Sequence, residues 1–181
     1  MKSGASGWAC AKAFDEGLRR GGGGEGIGVV DMFYGMNAWF LSSLALGALW
    51  WIAAVSLPVW LRMEGRAAAP AFSGVMRRGG PIIAAAMLIA VVLGFLAAED
   101  DADYKWAVGA GFLLLALIFG VALAFGPAAK LDALADPSEA QDDPASHEAL
   151  VRAALRLWAR LHLGRCLVAS VGVFFFIWAA H

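Results

Sequence analysis

Four long apolar segments, separated by polar ones, dominate the hydropathy pattern of the chain. They cover residues 37–61, 81–98, 106–129 and 158–180, and the first three contain no charged side chain. A helix crosses the hydrocarbon core of a bilayer with about 20 apolar residues, so each segment is long enough for one span. A helix also satisfies its own backbone hydrogen bonds in lipid. The pattern therefore predicts an all-α protein, a bundle of four transmembrane helices.

The first 31 residues differ from the rest of the chain. They include four consecutive glycines, Gly21 to Gly24, and several charged side chains. We interpret residues 1–31 as a disordered Gly-rich tail and residues 32–181 as the four-helix transmembrane domain. A start of translation at Met32 or Met36 is an alternative that the sequence leaves open.

Composition excludes several classes of protein. Hydrophobic residues make up 61% of the chain and charged residues 16%, whereas a soluble domain has about 25% charged residues. The net charge of −1 gives no basic field for nucleic acid. Two cysteines are too few for a disulfide framework or a zinc cluster. We expect a multi-pass integral membrane protein, in the inner membrane of a bacterium or in the endoplasmic reticulum or another endomembrane of a eukaryote.

Basic residues predict the orientation. They concentrate in the loop after the first segment and in the loop before the fourth, which lie on one side of a four-span protein. We place both loops in the cytosol and both termini on the other side. The residues concerned are Arg62, Arg66, Arg77, Arg78, Lys130, Arg152 and Arg156.

Small residues and tryptophans predict how the helices pack. Small side chains recur every four residues on the second and third segments, which favours close approach of two helices in lipid. Tryptophans near the segment ends are typical of an aromatic belt. The stripes are Ala86, Ala90, Gly94, Ala98 and Ala116, Gly120, Ala124, Ala128, and the belt is Trp39, Trp60, Trp106 and Trp178.

The segment 132–148 is the longest internal loop, and it is acidic and interrupted by Pro137 and Pro144. A metal site is conceivable there, but the spacing of its carboxylates does not match a calcium loop. We interpret the segment as a solvated linker.

Candidate chemistry lies on the fourth segment. Trp158, His162 and Arg165 share one helix face, because they are four and three residues apart. Ionisable residues inside a span usually face the bundle interior or a wet cavity, so these three indicate either a functional pocket or an interfacial anchor. A neutral imidazole in such a place can act as a base. The stripe of Arg152, Arg156 and Arg160 lies on another face, and we interpret it as a set of contacts to lipid headgroups.

Other chemistries lack their residues. A bis-histidine haem needs a second histidine in the spans, and a Ser-His-Asp triad needs a carboxylate there. The four glycines of the tail lack the Lys-Ser/Thr of a phosphate loop. Trp50 and Trp51 lie within the first segment, where they either face lipid or form the wall of a pocket.

The run from Arg156 to Arg165, RLWARLHLGR, resembles the last span of the anthrone oxygenase-like family, small four-span membrane proteins with a Trp, then His or Asn, then Arg three residues on. Leu57-Pro58, RGGP at 78–81 and GPAAKL at 126–131 resemble its other motifs. The resemblance covers about residues 35–180. Ala129 stands where the family usually has Asn, and the segment 132–148 matches no motif.

The resemblance implies an oxygenase without metal or flavin that oxidises an anthrone to an anthraquinone in polyketide biosynthesis. Its partners would be O2, a hydrophobic aromatic substrate and the lipid bilayer. From the residues themselves we assign His162 as the base, Arg165 as the partner of the oxyanion, and Trp158 with Trp50 or Trp51 as a flat wall.

Two other functions stay open. One is a non-catalytic membrane subunit or scaffold, in which His162 and Arg165 anchor a helix. The other is a carrier of a hydrophobic small molecule in the same pocket. Self-association into a homo-oligomer also stays open.

Overall fold

The computed structural model describes residues 27–101, 103–136 and 143–181, and this part of the chain is helical with no strand. The Gly-rich segment 1–26 and part of the acidic loop, residues 137–142, lie outside the described residues. The helices are α1 (Ile27–Trp51), α2 (Leu57–Trp60), α3 (Gly65–Asp101), α4 (Tyr104–Leu123), α5 (Ala129–Ala133) and α6 (Pro144–Ala179). A π-helical turn, Ile52–Ser56, joins α1 to α2, and another, Ala124–Ala128, joins α4 to α5.

Among the described residues, four helical stretches are long and apolar enough to cross a membrane, namely Phe33–Trp60, Gly65–Glu99, Tyr104–Ala133 and Pro144–Ala179. The chain is therefore a multi-pass membrane protein, and the predicted four-helix bundle is confirmed. Helix α1 begins at Ile27, inside the segment 1–31 that we assigned to the tail.

Helices α3 and α6 are much longer than their apolar segments. They contain 37 and 36 residues, so each is about 55 Å long against a hydrocarbon core of about 30 Å. Their N-terminal halves carry all of the arginines of the two helices except Arg165. Both helices run in the same direction, so these halves project together from the side of the membrane that has the basic loops.

The described residues form two buried clusters, which follow each other along the length of the bundle. The first joins the apolar parts of α1, α3, α4 and α6, and its large side chains include Leu49, Met87, Leu113 and Phe176. The second joins α2, α5 and the projecting halves of α3 and α6. Its members include Trp60, Phe72, Leu131, Leu155 and Trp158. The bundle therefore continues as a packed core beyond the apolar segments.

Glycines let the membrane-embedded helices approach closely around Phe176. A Cβ atom at Gly94 would lie 2.6 Å from Cζ of Phe176 and 3.2 Å from Cβ of Ala110. The stripe on α3 thus faces the bundle at Gly94, and α3 contacts α4 as the small residues predict. On the other stripe Ala116 is buried, whereas Ala124 is exposed.

A polar clamp fixes the loop between α2 and α3 to α6. Glu148 accepts hydrogen bonds from the amide of Gly65 and from Arg152. The Arg152 guanidinium also donates to the carbonyl oxygens of Leu61 at 2.8 Å and Met63 at 3.4 Å. These carbonyls follow the end of α2, where the helix leaves them without partners. Arg152 therefore serves the fold, which corrects its interpretation as a contact to lipid headgroups.

The described part of the acidic loop is also tied to the fold. Asp143 caps α6 by accepting from the amide of Ser146 at 3.1 Å, and Asp132 forms an ion pair with Arg77 at 2.7 Å. Together with Glu148, these carboxylates have defined partners. The interpretation of residues 132–148 as a merely solvated linker is therefore wrong for these three residues.

The four tryptophans predicted to form the aromatic belt divide into two pairs. Trp39 and Trp178 are both exposed. Trp178 lies at the end of α6, as an aromatic belt requires, whereas Trp39 lies in the middle of α1, near the start of the first apolar segment. Trp60 and Trp106 are instead buried, Trp60 against Phe72 and Trp106 against Phe176, with ring centroids 5.3 Å apart in both contacts. The belt prediction therefore does not hold for Trp60 and Trp106, which belong to the core.

Candidate active site

A cavity of about 360 Å³ opens between α3, α4 and α6, near the end of the bundle that bears the basic loops. Small-molecule sites commonly enclose about 300–1,000 Å³. Its wall is apolar except for two arginines. The lining residues are Met76, Arg77, Gly80, Pro81, Ala84, Leu117, Gly120, Val121, Leu123, Ala124, Trp158 and Arg165.

Small and helix-disturbing residues leave this space open. Gly80, Pro81 and Ala84 present little side chain from α3, and Pro81 has no N–H to donate to the carbonyl of Arg77. The π-helical turn after α4 begins at the lining residue Ala124 and contains Pro127; it departs from helical geometry at Gly126, where φ is −103° and ψ is −106°.

Arg165 enters the cavity from α6 and is half-buried. Its Nε donates to the carbonyl oxygen of Ala116 at 3.1 Å, and its Nη2 lies 3.4 Å from Sδ of Met87. None of the ion pairs between described residues includes Arg165. A guanidinium held among apolar helices without a carboxylate is suited to stabilising negative charge on a bound molecule.

Trp158 forms the flat part of the wall, and its ring is held on several sides. It meets Phe72 at 5.0 Å and Trp60 at 6.3 Å, both edge to face. The His162 ring stacks on it at 4.4 Å with an interplanar angle of 12°. The indole is therefore fixed by packing before any ligand binds.

His162 lies behind Trp158 and does not line the cavity. Its side chain is only 1% exposed. The tautomer with hydrogen on Nε2 donates to the carbonyl oxygen of Leu49 on α1 at 3.1 Å, just before the π-helical turn. Among the described residues, its Nδ1 is the one buried side-chain nitrogen or oxygen without a hydrogen-bond partner.

The structure thus brings together three of the five residues selected from the sequence. Trp158 and Arg165 line the cavity, and His162 packs directly against Trp158. Trp50 and Trp51 do not line it. Trp51 is 63% exposed on the outside of the bundle, while Trp50 is 37% exposed and donates to Oγ of Ser170 at 3.2 Å. They therefore form no part of the predicted wall.

Arg77 is a lining residue that sequence reasoning missed. We counted it as a signal of orientation, although Arg77, Pro81 and Ala84 are four and three residues apart and therefore share a helix face. That spacing is the signal that could have found it. Its guanidinium pairs with Asp132, which also accepts from Oγ of Ser73 at 2.8 Å.

The described residues contain no group of three or more His, Cys, Asp or Glu side chains arranged to hold a metal ion. Cys166 is buried and free. No carboxylate and no histidine is among the residues that line the cavity. The polar chemistry of the wall therefore consists of two guanidinium groups and one indole.

Comparison with models of protein families gives a match. A family model described as anthrone oxygenase matches residues 70–175, which is more than half of the chain and includes every residue that lines the cavity. No curated protein and no solved structure matches the chain.

Proposed function

The chain belongs to the anthrone oxygenase family, and from this premise we propose that it is a membrane oxygenase that uses O2 to oxidise an anthrone-type aromatic to a quinone. The observation that carries the proposal is the apolar cavity inside the matched segment, which both Arg165 and the flat ring of Trp158 line. The reaction would belong to polyketide biosynthesis, as for the family's characterised members.

The dimensions of the cavity support a fused-ring substrate. From Trp158 to Arg165 the cavity follows α6 for seven residues, or about 11 Å, which is comparable with three linearly fused six-membered rings. The rigid indole offers such a molecule a face for stacking, and the apolar residues of α3 and α4 offer the rest of the wall. An apolar site also keeps water from a reactive anion.

The chemistry needs little from the protein. The methylene carbon of an anthrone is acidified by the flanking rings and the carbonyl group, so a base removes one of its protons. The resulting anion carries its negative charge on the carbonyl oxygen, where Arg165 would stabilise it. The anion reduces O2 and forms a carbon–oxygen bond, and the peroxide is protonated to a hydroperoxide. Loss of the remaining C–H proton with cleavage of the O–O bond then gives the second carbonyl and water.

We keep His162 as the base in this proposal. Its Nδ1 is an acceptor without a partner, and the stack on Trp158 places it one ring away from the cavity. Proton transfer to Nδ1 requires the Trp158 ring to shift, or a water molecule to bridge the two. The role of His162 therefore has to be tested separately from that of Arg165.

A carrier is the second candidate function. The absence of a histidine or carboxylate from the cavity wall favours it, because binding an aromatic molecule needs no base. A carrier would bind an anthrone or an anthraquinone without changing it. A scaffold would bind neither.

The test is oxidation of anthrone by the purified protein in detergent, after treatment with a chelator. We expect O2 uptake and anthraquinone formation above the protein-free rate, with one O2 consumed for each quinone formed. Arg165→Ala should lower the rate by about 10²- to 10³-fold. Arg156→Ala is the matched control, because Arg156 is exposed on the same helix outside the cavity.

Each contrary result has a definite meaning. A rate equal to the protein-free rate contradicts the oxygenase. If anthraquinone nevertheless binds, and Arg165→Ala weakens its binding, the carrier takes its place. Loss of activity on chelation would show that the reaction depends on a metal.

A further inference from the structure

The cavity has an arginine at each end. Helices α3 and α6 enter the membrane from the same side, so Arg77 and Trp158 lie toward the membrane surface, whereas Ala84 and Arg165 lie deeper. From Met76 to Ala84 the cavity follows α3 for about 12 Å. A ligand that reaches Arg165 with one end therefore has its other end near Arg77.

The Arg77 side chain is held in place by Asp132, but not all of its nitrogen atoms take part in that contact. One edge of the guanidinium faces Asp132, with Nη2 donating to Oδ2 at 2.7 Å and Nε to Oδ1 at 3.1 Å. Oγ of Ser73 donates to the same carboxylate and so fixes its orientation. The remaining nitrogen, Nη1, makes no hydrogen bond to any residue that the structure describes. The side chain is 72% exposed, so a ligand can reach it.

We propose that Arg77 is a specificity-determining residue that binds an anionic oxygen substituent, such as a carboxylate or an ionised phenol, on the outer end of the substrate. The inference rests on the proposed function in taking the cavity as the substrate site. The substrate class is then a fused-ring aromatic whose reacting carbon lies deep, near Arg165, and whose acidic group lies at the membrane surface. A planar guanidinium recognises such oxygens by directed, charge-assisted hydrogen bonds.

A structural ion pair is the alternative role for Arg77 and Asp132. Exposed ion pairs of this kind contribute little to stability. If the pair is only structural, changing Arg77 and changing Asp132 should alter ligand binding to the same extent. A binding role makes the opposite prediction. Loss of Arg77 removes the group that binds the anionic substituent. Loss of the Asp132 charge removes the carboxylate that competes with this substituent for the Arg77 guanidinium.

The experiment measures binding of two unreactive probes in neutral detergent, anthraquinone and anthraquinone-2-carboxylate. We expect the original protein to bind the carboxylate about tenfold more tightly than the parent quinone. Arg77→Gln should abolish this preference, and Asp132→Asn should increase it. Arg78→Gln is the matched control, since Arg78 is the neighbouring exposed arginine and does not line the cavity.

Several results would overturn the inference. It fails if the original protein shows no preference for the carboxylate, or if Arg77→Gln and Asp132→Asn change the preference in the same direction. An anionic lipid headgroup is a second source of the same chemistry, so the measurement is repeated with excess phosphatidylglycerol. Persistence of the preference supports a substrate site, whereas displacement of the probe that depends on Arg77 assigns the arginine to lipid. Because these probes do not react, failure of anthrone oxidation would leave the binding result intact and contradict only the proposed function.

Discussion

The guanidinium of Arg165 lies directly over the backbone of Gly120, so that a Cβ atom at residue 120 would come within 2.7 Å of Arg165 Cζ. Gly120 is part of the stripe on the third segment that we expected to serve helix packing alone. In the structure it makes room for the charged group of the candidate site. The same glycine therefore connects the packing of α4 with the chemistry proposed for α6.

We predict that Gly120→Ala displaces the Arg165 guanidinium and lowers the turnover of anthrone. The obstructing atoms are the end of a flexible side chain, so the protein should still fold. A catalytic group misplaced by about 1 Å can lower a rate by about 10²-fold. Gly111→Ala on the same helix is the control, because a Cβ there meets nothing within 4 Å. Equal turnover for the two variants would mean that the position of Arg165 does not matter to the reaction.

Gly94 has a purely structural role in this arrangement. Gly94→Leu should destabilise the protein by about 1–3 kcal/mol or more, because the added side chain collides with Phe176 and Ala110. The measurement is thermal unfolding in detergent. Gly47→Leu is the control, since a Cβ at Gly47 has open space around it. If both variants unfold at the same temperature, α3 does not pack against α6 as described.

Arg152 should matter for stability and not for the chemical step. Arg152→Ala removes the donor to the carbonyl oxygens of Leu61 and Met63 and leaves Glu148 without its cation. We expect a loss of about 1–3 kcal/mol, because these groups are partly buried and lose their partner. The exposed Arg156, changed to alanine, provides the comparison. A variant as stable as the original protein would restore the interpretation of Arg152 as a contact to lipid.

The sequence predicted the spans well because hydrophobic length is a strong signal. It also identified Trp158, His162 and Arg165, since ionisable residues in lipid are costly and stand out. It misjudged Trp51 and Trp60 for a different reason. The face of a helix that meets another helix depends on the packing angles of the whole bundle, and an apolar segment is hydrophobic on all faces. The pairing of Arg77 with Asp132 was missed because the two residues come together from segments far apart in the chain.

Orientation remains a prediction from the basic loops. Gly74 on the projecting half of α3 is exposed, and a side chain there meets nothing within 4 Å. In a background without Cys10 and Cys166, Gly74→Cys should react with a membrane-impermeant maleimide only after the cytosolic side is opened. Labelling of intact cells from outside would show that the orientation is opposite to the predicted one.

The last prediction separates the two roles open to His162, base and support for Trp158. His162→Phe keeps an aromatic ring stacked on Trp158 but removes both nitrogen atoms, whereas His162→Ala removes the ring as well. If His162 is the base, both variants should lower turnover by about 10²- to 10⁴-fold. His162→Phe should nevertheless bind anthraquinone like the original protein, because Trp158 and Arg165 stay in place. If His162 only supports the wall, His162→Phe should retain turnover and His162→Ala should lose both turnover and binding. That second pattern would contradict the base assignment, and the proton would then have to leave the substrate without a histidine, through water at the mouth of the cavity.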